Sequence, residues 1–137
     1  MLAQAHDRKV YDELVKRELT AYLRDSPEAF DVIVSADTLV YFGSLESVIS
    51  CSADALRPGG HLVFTVEELI DAATDTGYAI RPHGRYGHAC RYVERVLADA
   101  NLQPAIARAE LRLEAGDPVS GLVVRAMKPN DGAVDRV

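Results

Sequence analysis

The sequence has no tryptophan, only two cysteines, and no apolar stretch near the ~20 residues that a membrane span needs. The cysteines, Cys51 and Cys90, are too few for a disulfide scaffold and favour a reduced, cytoplasmic setting. Basic residues are not in excess either, since the net charge is -6. Binding to duplex nucleic acid needs a basic face, so this charge argues against nucleic acid as the main partner. The sequence also lacks a G-x-G-x-x-G pattern, which argues against a nicotinamide-dependent oxidoreductase.

What remains is the composition of an ordinary folded domain. Hydrophobic residues make up 48% of the chain and charged residues 26%. The length of 137 residues predicts one domain at most. A chain near this size can bury roughly 68% of its unfolded surface, which is enough for a core.

The segment from Phe30 to Glu67 has the pattern of a strand, a helix and a second strand. Phe30–Ala36 is a near-continuous β-branched run, as expected for a parallel strand covered on both faces. Ser44 is a candidate helix cap, and Arg57–Gly60 contains the proline and glycines that end a helix. His61–Val66 is the second predicted strand. We therefore predict a parallel, right-handed βαβ unit. Its helix carries an apolar stripe of Leu45, Val48, Ile49, Ala53 and Leu56.

This unit resembles the class I S-adenosylmethionine-dependent methyltransferases, in which FDxIxxxxxLxxx leads into a helix, LRPGG and an apolar strand. The matching residues are Phe30, Asp31, Ile33, Leu39, Leu56-Arg57-Pro58-Gly59-Gly60 and Leu62-Val63-Phe64. The run Arg85–His88 is similar to a subgroup attached to tetratricopeptide repeats. The family's glycine-rich loop, and the acidic residue ending its second strand, have no counterpart. The resemblance therefore implies that residues 1–129 are the C-terminal portion of a methyltransferase domain, with a flexible tail at 130–137.

The implied fold class is α/β: a partial Rossmann-like three-layer sandwich with a mostly parallel sheet, a C-terminal antiparallel β-hairpin and missing N-terminal strands. The strands of the hairpin are predicted at Ala105–Leu113 and Val119–Met127. The preceding helix has the cleanest apolar stripe in the chain, formed by Ala89, Tyr92, Val93, Val96, Leu97 and Ala100, and Asn101 is suited to end it.

Two segments leave alternatives open. Residues 11–24 have the apolar spacing of one helix, whereas the resemblance implies a strand near Glu13–Leu19 followed by a helical turn. The long connection from Glu67 to Gly87 has room for a short helix near Glu68–Ala73 and a short strand near Tyr78–Ile80. Acidic residues at strand ends, such as Glu67 and Glu68, are usually solvated.

Ligands of open α/β sheets bind beyond the carboxyl ends of the strands. The resemblance implies that Ala36 and Asp37, after the first strand, line the sulfonium and amino end of S-adenosylmethionine. It also implies that Glu18 and Leu19 hold the adenine through a carboxylate acceptor and an apolar wall. The alternatives are that Asp37 caps a turn, that Glu18 is a solvated helix residue and that Leu19 belongs to the core.

Tyr41 and His88 are the candidate catalytic residues. Tyr41 follows the first strand, where it can position a methyl acceptor, and His88 can accept a proton near neutral pH. Arg85 and Tyr86 are candidate substrate residues, since arginine can hold an anionic substrate. The alternative for Arg85, Tyr86 and His88 is loop anchoring. His83, His88 and Cys90 have no fourth ligand at zinc spacing, so no metal is expected.

The leading hypothesis is an S-adenosylmethionine-dependent methyltransferase that acts on an unknown small-molecule or protein acceptor. Without the glycine-rich loop and its acidic partner, this chain is expected to bind the cofactor weakly or not at all. The alternative is a non-catalytic remnant or binding module of the same fold. Missing N-terminal strands would leave the edge of the strand Phe30–Ala36 open, which predicts a homodimer or aggregate formed through that edge unless Glu13–Leu19 covers it. Neither a membrane nor nucleic acid is an expected partner.

Overall fold

A computed structural model describes residues 18–70 and 76–130 of the chain. The helices in these ranges are α1 Leu19–Arg24, α2 Glu46–Ala55 and α3 Cys90–Asp99, with a 3₁₀ turn at Leu39–Tyr41. The strands are β1 Phe30–Ser35, β2 Leu56–Glu68, β3 Tyr78–Ile80, β4 Tyr86–His88, β5 Gln103–Glu114 and β6 Asp117–Met127. None of the described helices is long and apolar enough to cross a membrane.

The predicted βαβ unit is confirmed. Strands β1 and β2 pair in parallel, with Val34 opposite Val63, and α2 connects them. Strand β2 lies in the middle of the sheet, whose order is β3-β4-β2-β6-β5, with β1 also paired to β2. Strand β4 pairs in parallel with β2 at Glu67 and Glu68, beyond the last β1 pair at Phe64. On β2, the strand β1 therefore pairs up to Phe64, and β4 pairs with the carboxyl end that follows.

The C-terminal hairpin is also confirmed, but the prediction of a mostly parallel sheet is only partly right. Strands β5 and β6 pair antiparallel along nearly their whole length, and β6 continues antiparallel along β2. The short pair β3–β4 is antiparallel as well. Parallel pairing is confined to β1–β2 and β2–β4 among the described strands. Antiparallel pairing predominates because β5 and β6 follow each other in the chain and pair with each other over many residues.

The predicted boundary at Arg57–Gly60 is wrong, since β2 begins at Leu56, directly after α2. Gly59 has a left-handed φ of 84°, and the register with β1 shifts between Phe30 and Val32. The N–H of Gly59 donates to the Lys128 carbonyl at 2.7 Å, and the Lys128 N–H donates to the Gly60 carbonyl at 2.8 Å. These bonds to the end of β6 extend the ladder through the segment that the sequence assigned to a turn.

The start of α2 also differs from the prediction. Leu45, not Ser44, occupies the N-cap position, and no side chain caps the helix. The Ser44 hydroxyl instead contacts the Glu46 carboxylate. This contact takes the hydroxyl away from the backbone donors of the first turn.

One face of the sheet carries the core. Leu62, Phe64 and Val66 of β2 are buried, whereas Val63 and Thr65 between them are half-buried. The buried apolar residues of α1, α2 and α3 join the same cluster as these β2 side chains, so the described helices form one covering layer. Val32 and Val34 of β1 are 55% and 69% exposed. The prediction that this strand is covered on both faces is therefore wrong for the described part of the chain.

The segment before β1 settles one alternative. The backbone of Glu18 is extended, with φ -63° and ψ 133°, and α1 begins only at Leu19. A single helix over residues 11–24 is therefore wrong. The strand proposed near Glu13–Leu19 falls almost wholly outside the described residues, and its last residue, Leu19, is helical.

Most of the predictions for the segments after β2 agree with the structure. The short strand Tyr78–Ile80, the helix α3 and its end at Asn101, which has a φ of 60°, are confirmed. The helix proposed near Glu68–Ala73 is wrong at Glu68, which ends β2, and residues 71–75 lie outside the described range. The tail from 131 onward also lies outside it.

Candidate functional site

A cavity of about 320 Å³ lies beside the carboxyl end of β1. Its walls come from α1, from β1 and the residues that follow it, from α2 and from β2. They are Leu19, Leu23, Ile33, Val34, Ser35, Ala36, Thr38, Leu39, Val48, Ser52 and Leu62. The structure therefore brings together Leu19 and Ala36, two predicted cofactor residues that are distant in sequence.

The polar side chains of this cavity are hydroxyls. Ser52 donates to the Val48 carbonyl at 2.7 Å, and Thr38 donates to the Ala36 carbonyl at 3.2 Å. No charged side chain is among the described residues that line the cavity. Such a wall suits a flat, weakly polar group and offers no partner for a charged one.

Glu18, the predicted adenine acceptor, is not among the lining residues. Its carboxylate caps α1, accepting from the Ala21 N–H at 2.7 Å and from the Thr20 N–H at 3.1 Å. These two backbone hydrogen bonds, the Ala21 bond first, lower the pKa of Glu18. The carboxylate is exposed and engaged by the helix N-terminus. A role in binding adenine stays a prediction.

Asp37 and Tyr41 lie on the loop between β1 and α2. Asp37 has a left-handed φ of 56°, a conformation that favours short polar residues at turns. Tyr41 ends the 3₁₀ turn, and its side chain is 61% exposed. Neither residue lines the cavity, although Ala36, Thr38 and Leu39 of the same loop do. Their functional roles remain predictions.

His88 is fully buried on β4. Its Nε2 atom lies 2.9 Å from the Phe42 carbonyl and 3.0 Å from the Gly43 carbonyl. Burial lowers the pKa of His88, although the two carbonyls oppose this. The contacts place His88 against the loop that carries Tyr41. This geometry favours the anchoring alternative for His88.

Arg85 and Tyr86, the predicted substrate residues, also make internal contacts. Arg85 Nε lies 2.8 Å from Glu67 Oε2, and the Glu67 side chain is fully buried. The Tyr86 ring meets the Tyr78 ring edge-on, with centroids 6.1 Å apart. Arg85 thus neutralises a buried carboxylate.

A second, more open cavity of about 700 Å³ lies at the carboxyl end of β2. Glu67 and Glu68 line it with Arg81, His83 and residues 117–120. Sequence reasoning expected both glutamates to be solvated, which is wrong, since they are 0% and 7% exposed. Glu68 Oε2 lies 2.8 Å from Arg108 Nε. The sequence did not show that Arg85 pairs with Glu67 and Arg108 with Glu68, and these pairs allow the two carboxylates to be buried.

Within residues 18–70 and 76–130, no three His, Cys, Asp or Glu side chains lie close enough together to hold a metal ion.

No family model and no curated protein matches the sequence. Solved structures do. A Listeria monocytogenes protein assigned as an S-adenosylmethionine-dependent methyltransferase is 16% identical with a TM-score of 0.70, over 95% of this chain and 76% of that one. A Methanosarcina mazei S-adenosylmethionine-dependent methyltransferase is 17% identical with a TM-score of 0.59, over 77% and 62%. Haemonchus contortus phosphoethanolamine N-methyltransferase 2, solved with S-adenosylhomocysteine, is 13% identical with a TM-score of 0.58, over 77% and 35%.

The fold is therefore that of the class I S-adenosylmethionine-dependent methyltransferases. The match spans 62% of the Methanosarcina structure and 35% of the Haemonchus structure. The described residues fit one part of the cofactor. The cavity beside β1 has the apolar wall and hydroxyls that an adenine ring can use, but no lining charge for the ribose or amino-acid end. The link to tetratricopeptide repeats stays a prediction.

Proposed function

We propose that this chain supplies the C-terminal part of an S-adenosylmethionine-dependent methyltransferase domain that acts on a small-molecule or protein acceptor. The observation that carries the proposal is the cavity at the carboxyl end of β1, in a fold shared with methyltransferases. Ligands of open α/β sheets bind at this position.

In this proposal Leu19 forms the adenine wall, and Ala36 lies with the loop of Asp37 and Tyr41 toward the reacting end. When bound, the cofactor supplies an activated methyl group. Transfer of that group depends mainly on the position and alignment of the acceptor. We therefore assign Tyr41 a positioning role and assign no proton transfer to the chain.

The test is an NMR titration of the ¹⁵N-labelled chain with S-adenosylhomocysteine. We expect weak binding, with shifts concentrated at Leu19, Ala36 and Thr38. Ala36→Phe fills the cavity and should abolish these shifts. Ala105→Phe, on an exposed position of β5, is the matched control and should leave them unchanged. Shifts that concentrate around the cavity at the end of β2 would contradict the proposal.

The second candidate is a binding module of the same fold without methyl transfer. It is favoured by one observation: no described residue lining the cavity beside β1 carries a charge. A ligand held there by shape alone needs no catalytic group. Saturable binding of adenosine at the same residues, with the same affinity as S-adenosylhomocysteine, would support this candidate over the first.

A further inference from the structure

The loop between β1 and α2 is fixed at its far end by His88. A backbone carbonyl can only accept a hydrogen bond. Because Nε2 of His88 faces the carbonyls of both Phe42 and Gly43, at 2.9 and 3.0 Å, Nε2 must carry the hydrogen. The neutral ring then has no hydrogen on Nδ1.

Three tyrosine rings surround His88 and hold the same loop. The Tyr92 ring stacks on His88 with an interplanar angle of 18°, and its hydroxyl accepts from the Leu45 N–H at 2.9 Å. The rings of Tyr78 and Tyr86 lie 6.2 and 6.4 Å from His88. The end of the loop therefore contacts His88 through its Phe42 and Gly43 carbonyls, and the next element begins with the hydrogen bond from Leu45 to Tyr92.

Gly43 shows how closely the loop is held. A Cβ added there would lie 2.9 Å from Tyr78 Cε2 and 3.0 Å from Tyr86 Cε1. Real Cβ atoms rarely approach other atoms this closely, so the loop backbone sits directly against the two rings. The β3–β4 segment therefore determines where the loop ends.

Nδ1 of His88 is buried and has no hydrogen-bond partner in the described part of the chain. An unsatisfied buried polar atom destabilises a fold. A phenylalanine would stack on Tyr92 without that cost, so packing alone does not account for a histidine. The Nε2 hydrogen is the property that phenylalanine lacks.

We propose that His88, as the tautomer protonated on Nε2, is a positioning residue that holds the end of the Leu39–Ser44 loop and so sets the place of Tyr41. The functional value of that placement rests on the proposed methyltransferase function. His88 does not take a proton from the substrate, because Nε2 is already a donor to two carbonyls and the ring is fully buried.

The first test is ¹⁵N NMR of the histidine side chains in the full chain. We expect His88 to show a protonated Nε2 and an unprotonated Nδ1 between pH 7 and 8. The tautomer protonated on Nδ1, or a charged ring at pH 7, would overturn the proposal.

The second test compares His88→Phe with His88→Gln by amide hydrogen exchange. Tyr41 and Phe42 donate within the loop, to Thr38 and Leu39, and report on its order. His88→Phe should speed their exchange about tenfold relative to amides of Val63 and Val124, since it removes the donor to both carbonyls. His88→Gln keeps a side-chain N–H and should restore part of the protection.

Unchanged loop protection in folded His88→Phe would overturn the proposal. If His88→Phe does not fold, the tautomer and the His88→Gln variant still decide it. No cofactor is used in either test. Their failure is therefore separate from failure of the proposed function, which the S-adenosylhomocysteine titration measures.

Discussion

The Lys128 side chain forms hydrogen bonds at the carboxyl end of α2. Its Nζ donates to the carbonyls of Ala53 and Leu56, at 2.9 and 2.8 Å, beside the last turn of the helix. Lys128→Met keeps most of the side-chain length but removes the donors and the charge. Charge-assisted hydrogen bonds contribute about 1.5–3 kcal/mol each, or about 3–6 kcal/mol for two fully buried ones. Because Lys128 is only half-buried, we expect a smaller loss of about 2–4 kcal/mol in the free energy of unfolding, measured by urea denaturation.

The control for Lys128 is Arg125→Met. Arg125 lies on the same strand, β6, and is exposed, so its substitution should change the free energy of unfolding by less than about 0.5 kcal/mol. Equal urea midpoints for the two variants would show that the Nζ contacts do not stabilise the helix end.

His88 should make stability depend on pH. Burial lowers its pKa in the folded chain, so the unfolded chain binds more protons below about pH 6.5. Its contribution is therefore complete above that pH and is lost as the pH falls below it. The side chains in ring contact with His88 are those of Tyr78, Tyr86 and Tyr92. We expect wild type to lose about 1 kcal/mol more than His88→Gln between pH 6.5 and 5.5.

Urea midpoints of both proteins across this range give the measurement. Glu18 and Glu46 also have lowered pKa values, because of backbone hydrogen bonds for Glu18 and the Ser44 hydroxyl for Glu46. Their contributions are lost only as the pH falls below about 4.3, the ordinary value for glutamate. They therefore do not overlap the histidine window. Parallel curves for wild type and His88→Gln would contradict the expected role of burial.

At the scale of elements, β1 combines an exposed apolar face with a neighbour on one side only among the described strands. It pairs with β2, and its outward residues Val32 and Val34 are more than half exposed. Apolar strands with an open edge tend to pair with another chain. The expected partner is a second copy of this chain, as the sequence predicted.

Val34→Lys should weaken that association at least tenfold, since a charge on an edge strand opposes pairing. Sedimentation equilibrium measures the dissociation constant. Leu113→Lys is the matched control, because Leu113 is 64% exposed on β5, at the opposite edge of the sheet. A monomer at all concentrations, or a dimer that Leu113→Lys weakens equally, would argue against pairing through β1.

At the scale of the whole molecule, the elements predicted from local sequence agree best with the structure. The apolar stripe of α3 and the stop at Asn101 are properties of neighbouring residues, and both are confirmed. The βαβ unit and the hairpin were likewise predictable, because each forms between segments that are adjacent in the chain.

The features that could not be predicted depend on contacts between residues that are far apart in the sequence. The extension of β2 through Gly59 needs Lys128, which lies at the far end of the chain. Burial of Glu67 and Glu68 needs Arg85 and Arg108. In the candidate site, Leu19 and Ala36 line one cavity although they are distant in sequence, whereas Glu18 turns to the N-terminus of α1, a local contact that competes with any ligand.

The isolated chain should bind S-adenosylhomocysteine with a dissociation constant no tighter than about 1 mM, as measured by calorimetry. A ribose carboxylate makes up to two charged hydrogen bonds, each worth about 1.5–3 kcal/mol. None of the described residues that line the cavity beside β1 supplies such a carboxylate. Supplying one with a strand and a glycine-rich loop, fused from a similar methyltransferase, should add roughly 3–6 kcal/mol, or hundreds- to tens of thousands-fold in affinity.

The fused protein also separates the two proposed functions. Micromolar binding together with transfer of a labelled methyl group would support a methyltransferase, and binding without transfer would support a binding module. Micromolar affinity in the isolated chain would instead mean that residues 1–137 hold the charged end of the cofactor by themselves. The Ala36→Phe variant is the control in each case, because filling the cavity should remove binding whether or not the carboxylate is present.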